Sequence, residues 1–255
     1  MTSMDVFSAS HFDTRGARSE FSNALPVDIR RLILLLQIFV TLMIGLGIFR
    51  EILIGFVGTE TVLKDLRHFA LDAERNLTSW YDSICMMMSS LLLFLMAGLS
   101  YRLDRQNRLH WTILAVIFLL MSIDATVSFH EVTVAPLREA LHLGGIFYFS
   151  WVLLATPFVI AVGLYFIPFL FRLPRKTAIR FVAAGLIFVG GALGTEFLCG
   201  YLATTAGMES LPYRTTAASQ ECLEAIGMTL FVMALLRHLA LTAAMLRLEI
   251  RGGDS

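Results

Sequence analysis

Long apolar runs separated by short polar stretches set the pattern of this chain. Six runs approach the roughly 20 predominantly apolar residues that a helix needs to cross a bilayer. They extend from Leu32 to Phe49, Ser83 to Leu103, Trp111 to Phe129, Ile146 to Phe171, Ala178 to Leu202 and Ala218 to Leu241. The runs are Leu-rich and do not alternate polar with apolar positions, which argues against a membrane barrel. Backbone groups in lipid must then be satisfied within each segment. The pattern predicts an all-α polytopic membrane protein with six transmembrane helices.

Around those spans the same pattern suggests three domain parts: a polar amino-terminal tail over 1–31, the six-helix domain over 32–246, and a short tail over 247–255. Within the domain, residues 59–77 place Leu63, Leu66, Phe69 and Leu77 at helical spacing between charges, which suits an amphipathic segment lying on the membrane surface. Pro136 near its start and Gly144-Gly145 at its end frame a short helix over 136–143. Pro157 and Pro168 each remove a backbone donor inside the fourth span and are expected to bend it.

Composition strengthens the membrane assignment: 57% of the residues are hydrophobic and the mean hydropathy is +0.73. The net charge of zero gives no ground for a nucleic-acid partner. Lys and Arg are unevenly spread. They concentrate in the amino-terminal tail, between the second and third spans, between the fourth and fifth, and from Arg237 onward. The positive-inside rule then places both termini in the cytoplasm, N-in and C-in. The first span lacks a small-residue cleavage site and reads as retained. The expected location is integral to a membrane, the bacterial inner (plasma) membrane, with the lipid bilayer as the immediate partner.

Acidic residues interrupt this apolar picture. Asp124 and Glu131 belong to the third run and its end, Glu196 to the fifth, and Glu221 and Glu224 to the sixth, with His130 beside Glu131. A lone carboxylate at mid-membrane costs about 2.5–3.5 kcal/mol on insertion scales, so several together point to a shared compensating partner. At about 1.5 Å per residue, Asp124, Glu196 and Glu224 fall on the order of 7–10 Å inside the same, outer face. Helical phase puts Asp124 and Glu131 on one stripe, with His130 one position off, and groups Glu221 with Glu224. On this reading Asp124, Glu196 and Glu224 form the centre of a site, with His130, Glu131 and Glu221 at its rim.

Inward-facing carboxylates and imidazoles on facing helices are how helical bundles hold metal ions. The six residues therefore suggest a divalent metal, with zinc, iron and manganese all compatible with the mixed oxygen and nitrogen set. Neither His-Glu-x-x-His nor the paired Glu-x-x-His of ferritin-like bundles occurs. No Gly-rich phosphate loop and no G-x-S-x-G elbow occurs either, so no nucleotide cofactor is expected. The functional expectation is a membrane-embedded, metal-dependent hydrolase or oxidoreductase acting on a lipid or lipophilic substrate.

Over the third span, Ser122, Asp124 and His130 resemble part of the Ser, Asp and His set with which the alkaline ceramidase and adiponectin-receptor superfamily holds zinc and cleaves lipid amides. That resemblance implies zinc on these three residues. The family's late His-x-x-x-His has no counterpart here, and the family has seven spans. Ser122-Ile123-Asp124, His130-Glu131, the Gly190–Gly194 run before Glu196, and Glu221-x-x-Glu224 also look like the pattern of a bacterial membrane family.

Two other readings belong to different classes. The carboxylates could serve a proton- or cation-translocating transporter or channel, although the polar residues towards the cytoplasm are few: Gln37, Ser89, Ser90 and Ser100. Alternatively they form a structural network neutralised by Arg50, Arg138 and Arg214 in an accessory subunit of a larger membrane complex, or in a homo-oligomer. The glycines at 185, 190, 191 and 194 suggest close helix contacts. Cys199 and Cys222 are the plausible disulfide pair, and Cys85 with Met86–Met88 reads as core or lipid-facing packing.

Overall fold

The computed structural model describes residues 28–57, 67–71, 76–103 and 105–252. Most of the tail over 1–31 and most of the segment expected over 59–77 lie outside them. Among the described residues every regular element is helical, and no strand occurs.

Helix α1 spans Ile29–Val57 and starts where Asp28 Oδ1 accepts the backbone N–H groups of Arg30 and Arg31 at 3.0 and 3.3 Å. Helix α2, Leu77–Leu103, is capped by Asn76, whose Oδ1 accepts the Ser79 N–H at 2.7 Å while its amide donates to the Ala70 carbonyl at 2.7 Å. Helix α3, Arg108–Val127, ends at Ser128 and is followed by two short helices, α4 (Phe129–Val132) and α5 (Val134–Ala140). A 3₁₀ turn at Gly145–Phe147 leads into α6, Val152–Arg172, which therefore starts later than the fourth apolar run. Pro157 and Pro168 both lie inside it.

The fifth run is not one regular helix. Helix α7, Arg175–Val189, passes through a π-helical turn at Gly190–Thr195 into α8, Glu196–Thr205. Such turns add a residue to the helical repeat and re-aim the side chains that follow. Helix α9, Leu211–Gly252, is the longest. Among the described residues six helical stretches are long and apolar enough to cross a membrane, with α7, the π turn and α8 forming a single one.

Helix α9 is the axis of the bundle and packs against α1, α2, α7, the π turn and α8. Of its apolar window 61% is buried, against 17% for α3 and for α6, which face outward on more sides. One core cluster joins α1, α2 and α9 through Val40, Met43, Tyr81, Cys85, Met228 and Val232. A second fills the end of the bundle where α2 and α6 finish and α3 and α7 begin, the end that carries Arg105, Arg108, Arg172 and Arg175. There Trp111 meets Phe169 edge-on at 4.7 Å and stacks on His238 at 5.5 Å, while Phe118 stacks on Phe231 at 4.6 Å.

Close helix approach depends on different glycines from most of those anticipated. A side chain at Gly185, Gly190 or Gly194 would meet open space. Gly191 is the close contact of that run: a Cβ there would lie 2.8 Å from the Leu223 Cβ. Gly227 is tighter still, 2.7 Å from the Phe188 backbone N. These two glycines clamp α7 and the π turn onto α9 and so fix where the acidic residues of both elements meet.

A carboxylate-lined cavity as the candidate site

Opposite the aromatic end, α2, α3, α4, α6, α7 with its π turn, and α9 enclose a cavity of about 500 Å³. Its wall is mostly apolar, with Met86, Ile117, Leu120, Phe158, Phe188 and Leu193 among the contributors. Into it project Asp82, Asp124, His130, Glu131, Glu221 and Glu224. Five of the six residues expected to form a site thus share one cavity. Glu196, the sixth, does not line it.

Backbone geometry decides how Asp124 and His130 relate. The regular helix stops at Val127, and Ser128 adopts a left-handed conformation (φ 57°, ψ 45°), with its N–H donating to the Asp124 carbonyl at 2.7 Å. The chain turns back, and His130 meets Asp124 directly. The Asp124 carboxylate accepts the His130 backbone N–H at 3.0 Å and faces the ring Nδ1 at 2.7 Å. Asp124 as acceptor assigns the ring proton to Nδ1, which leaves Nε2 as the basic nitrogen. The stripe drawn through Asp124 and Glu131 assumed a helix running straight through Ser128. His130 is the partner of Asp124, not a residue at the rim.

Glu196 stands behind the cavity wall. Its Oε1 accepts the Trp151 indole N–H at 2.9 Å, and its carboxylate also bonds the side chain of Gln220. Gln220 reaches Glu224 as well, so one amide joins carboxylates from two helices. Its Oε1 accepts the Cys199 thiol at 3.8 Å. Trp151 packs its ring against His130 with centroids 4.9 Å apart. The Asp124–His130 pair and the Glu196–Gln220–Glu224 network therefore meet at Trp151.

Three of these residues were not singled out from the sequence. Asp82 sits one position before the second apolar run, but α2 begins at Leu77 and carries it into the bundle, where it is 3% exposed. Asn76, with Ser79 three residues on, is the capping signal that would have revealed it. Gln220 precedes Glu221 inside the sixth apolar run, where it read as one uncharged polar residue beside two carboxylates. Trp151 read as one more apolar residue at the start of a span.

Other expectations change more sharply. Ser122 does not join Asp124 and His130: it is buried, and its hydroxyl donates to the Ser83 carbonyl at 2.9 Å between α2 and α3. The zinc set implied by the resemblance is therefore not assembled. The arginines foreseen as neutralising partners do not pair with the three central carboxylates. Arg50 and Arg214 pair with Glu51 at 2.5 and 3.0 Å, Arg138 lies over the Tyr148 ring, and Asp124, Glu196 and Glu224 have no arginine partner among the described residues. Cys85, Cys199 and Cys222 are free thiols.

A divalent ion would need at least three of these donors converging on one point. Among the described residues no group of three or more His, Cys, Asp or Glu side chains is so placed. Asp124 is turned to His130, and Glu196 to Trp151 and Gln220. The donor chemistry suits a metal, but the arrangement does not.

No curated protein and no solved structure matches the chain. Residues 56–239, well over half of the chain and the whole of the cavity lining, match a protein family described as a domain of unknown function, DUF8692, and the chain belongs to that family.

Proposed function

We propose that this protein is a membrane-embedded enzyme that takes a lipophilic substrate into the cavity and acts on it by proton transfer through the Asp124–His130 pair. The observation that carries the reading is the 2.7 Å contact between Asp124 and His130 on the wall of a largely apolar cavity of about 500 Å³. Cavities of this kind, apolar with a few convergent polar groups, are the usual form of a small-molecule site. A carboxylate that fixes the imidazole tautomer and orientation suits His130 to general acid–base work. Trp151 against the ring and the Asp124 bond to the His130 backbone N–H hold it in place.

A substrate drawn from the bilayer fits the apolar lining, and the Lys and Arg asymmetry of the loops favours an orientation with the cavity towards the outer leaflet. Metal-dependent hydrolysis or redox chemistry finds less support, because the donors do not converge, and no step is assigned to a metal. Cation translocation would need a polar route through the other end, which is filled by Trp111, Phe169, Phe181 and Phe231.

The test is a turnover screen. Purified protein in nanodiscs is incubated with a total membrane lipid extract, and consumed species are followed by mass spectrometry beside the His130→Gln variant. At least one lipophilic compound should be consumed, with the rate lowered about 10²–10⁴-fold in the variant. A folded wild type that consumes nothing, or an equally active variant, contradicts the proposal.

A further inference from the structure

The cavity holds a second group of acids away from the Asp124–His130 pair. Asp82 on α2 lines the cavity together with Glu221 and Glu224 on α9. Among the described residues lining the cavity there is no Lys or Arg. Asp82 is 3% exposed, and its Oδ1 is buried with no hydrogen-bond partner. A buried carboxyl oxygen without a donor costs free energy, and the side chain that carries it borders a ligand-sized cavity from which a ligand can supply a donor to the carboxylate.

The form of that donor follows from the surroundings. A metal ion is disfavoured by the absence of three converging ligands. Besides Ser79 and Glu221, the lining contributed by these helices and their neighbours is largely apolar, with Met86, Met121 and Phe188. A group that is cationic, carries N–H donors and is attached to an apolar body meets all three conditions. A protonated primary amine donates three charge-assisted hydrogen bonds, whereas a quaternary ammonium donates none.

We infer that the cavity binds an amphiphile through a protonated primary amine, seated between Asp82 and Glu224, with its apolar chain along Ile117, Leu120, Phe158 and Leu193. This rests on the reading of the cavity as a ligand site and names the class of molecule it takes. The amine end lies between Asp82 and Glu224, which leaves the Asp124–His130 pair to act on a bond elsewhere in the same molecule.

Binding of radiolabelled hexadecylamine to the full-length protein in nanodiscs tests this, with hexadecanol and hexadecyltrimethylammonium as chain-matched controls and empty nanodiscs as the blank. Saturable binding of the amine alone is expected. It should weaken about tenfold or more in Asp82→Asn, the loss expected of one hydrogen bond to a charged group. Should Asp82→Asn fail to fold, Glu224→Gln reports on the other side of the same seat and should weaken binding in the same direction. Equal binding of hexadecanol, or amine binding unchanged in folded variants, overturns the headgroup assignment. If His130-dependent turnover persists while the amine does not bind, only this inference falls; if both are lost, the reading of the cavity falls with it.

Discussion

Gly191 offers the sharpest structural test, because it joins the π turn to the helix that carries Gln220 and Glu224. An alanine Cβ at this position would lie 2.8 Å from the Leu223 Cβ, 3.2 Å from the Glu224 backbone N and 3.3 Å from the Gln220 carbonyl. Carbon atoms rest at about 3.5–4.0 Å, so Gly191→Ala has to push the π turn and α9 apart by roughly 0.7 Å or more. The neighbours are backbone atoms and a Cβ, which have no rotamer to escape into. Overpacking of this kind costs about 1–3 kcal/mol. For a chain of this size that corresponds to a loss of about 2–12 °C in thermal midpoint. Gly194→Ala, in the same turn with nothing within 4 Å, is the matched control. Alanine's better helix propensity should leave it neutral or stabilised by up to about 1 kcal/mol. Thermal unfolding of both variants in one detergent, followed by near-UV circular dichroism, reads the difference. A Gly191→Ala variant as stable as Gly194→Ala refutes the argument that this glycine sets the helix spacing at the site.

Ser122→Ala should lose about 1 kcal/mol of stability, from the bond to the Ser83 carbonyl, with lipid turnover unchanged. A fall in turnover at retained stability would instead return Ser122 to the site. Gln220→Leu removes the amide beside Glu196 and Glu224; Glu196 keeps the Trp151 N–H, so the loss falls on Glu224 and should destabilise the protein by about 1–3 kcal/mol. Adding Glu224→Leu should recover part of that loss in thermal unfolding, and a double variant that is simply worse by the sum of both changes speaks against the pairing of Gln220 with Glu224.

The membrane class and the six spans could be read from the chain because apolar runs of the needed length are a direct physical requirement of the bilayer. Five of the six residues singled out share a cavity for a related reason: carboxylates in such runs are costly and are brought together around an interior space. The details that sequence spacing missed come from breaks in regular helix. One left-handed residue, Ser128, turns His130 onto Asp124, and a serine carries no strong signal for that conformation. The π turn at Gly190–Thr195 shifts Glu196 out of the phase that an unbroken helix predicts and aims it at Trp151 and Gln220. Asp82 escaped notice because hydropathy located the start of α2 at Ser83, whereas the Asn76 cap starts it at Leu77.

A double-mutant cycle on the turnover reaction tests the central claim most directly, with rates measured for wild type, Asp124→Asn, His130→Gln and the double variant under one set of conditions. If the two residues act as one acid–base unit, each single change lowers the rate by about 10²–10⁴-fold and the double variant is no slower than the worse single. Rate losses that multiply in the double variant, or singles that match wild type while remaining folded, contradict it.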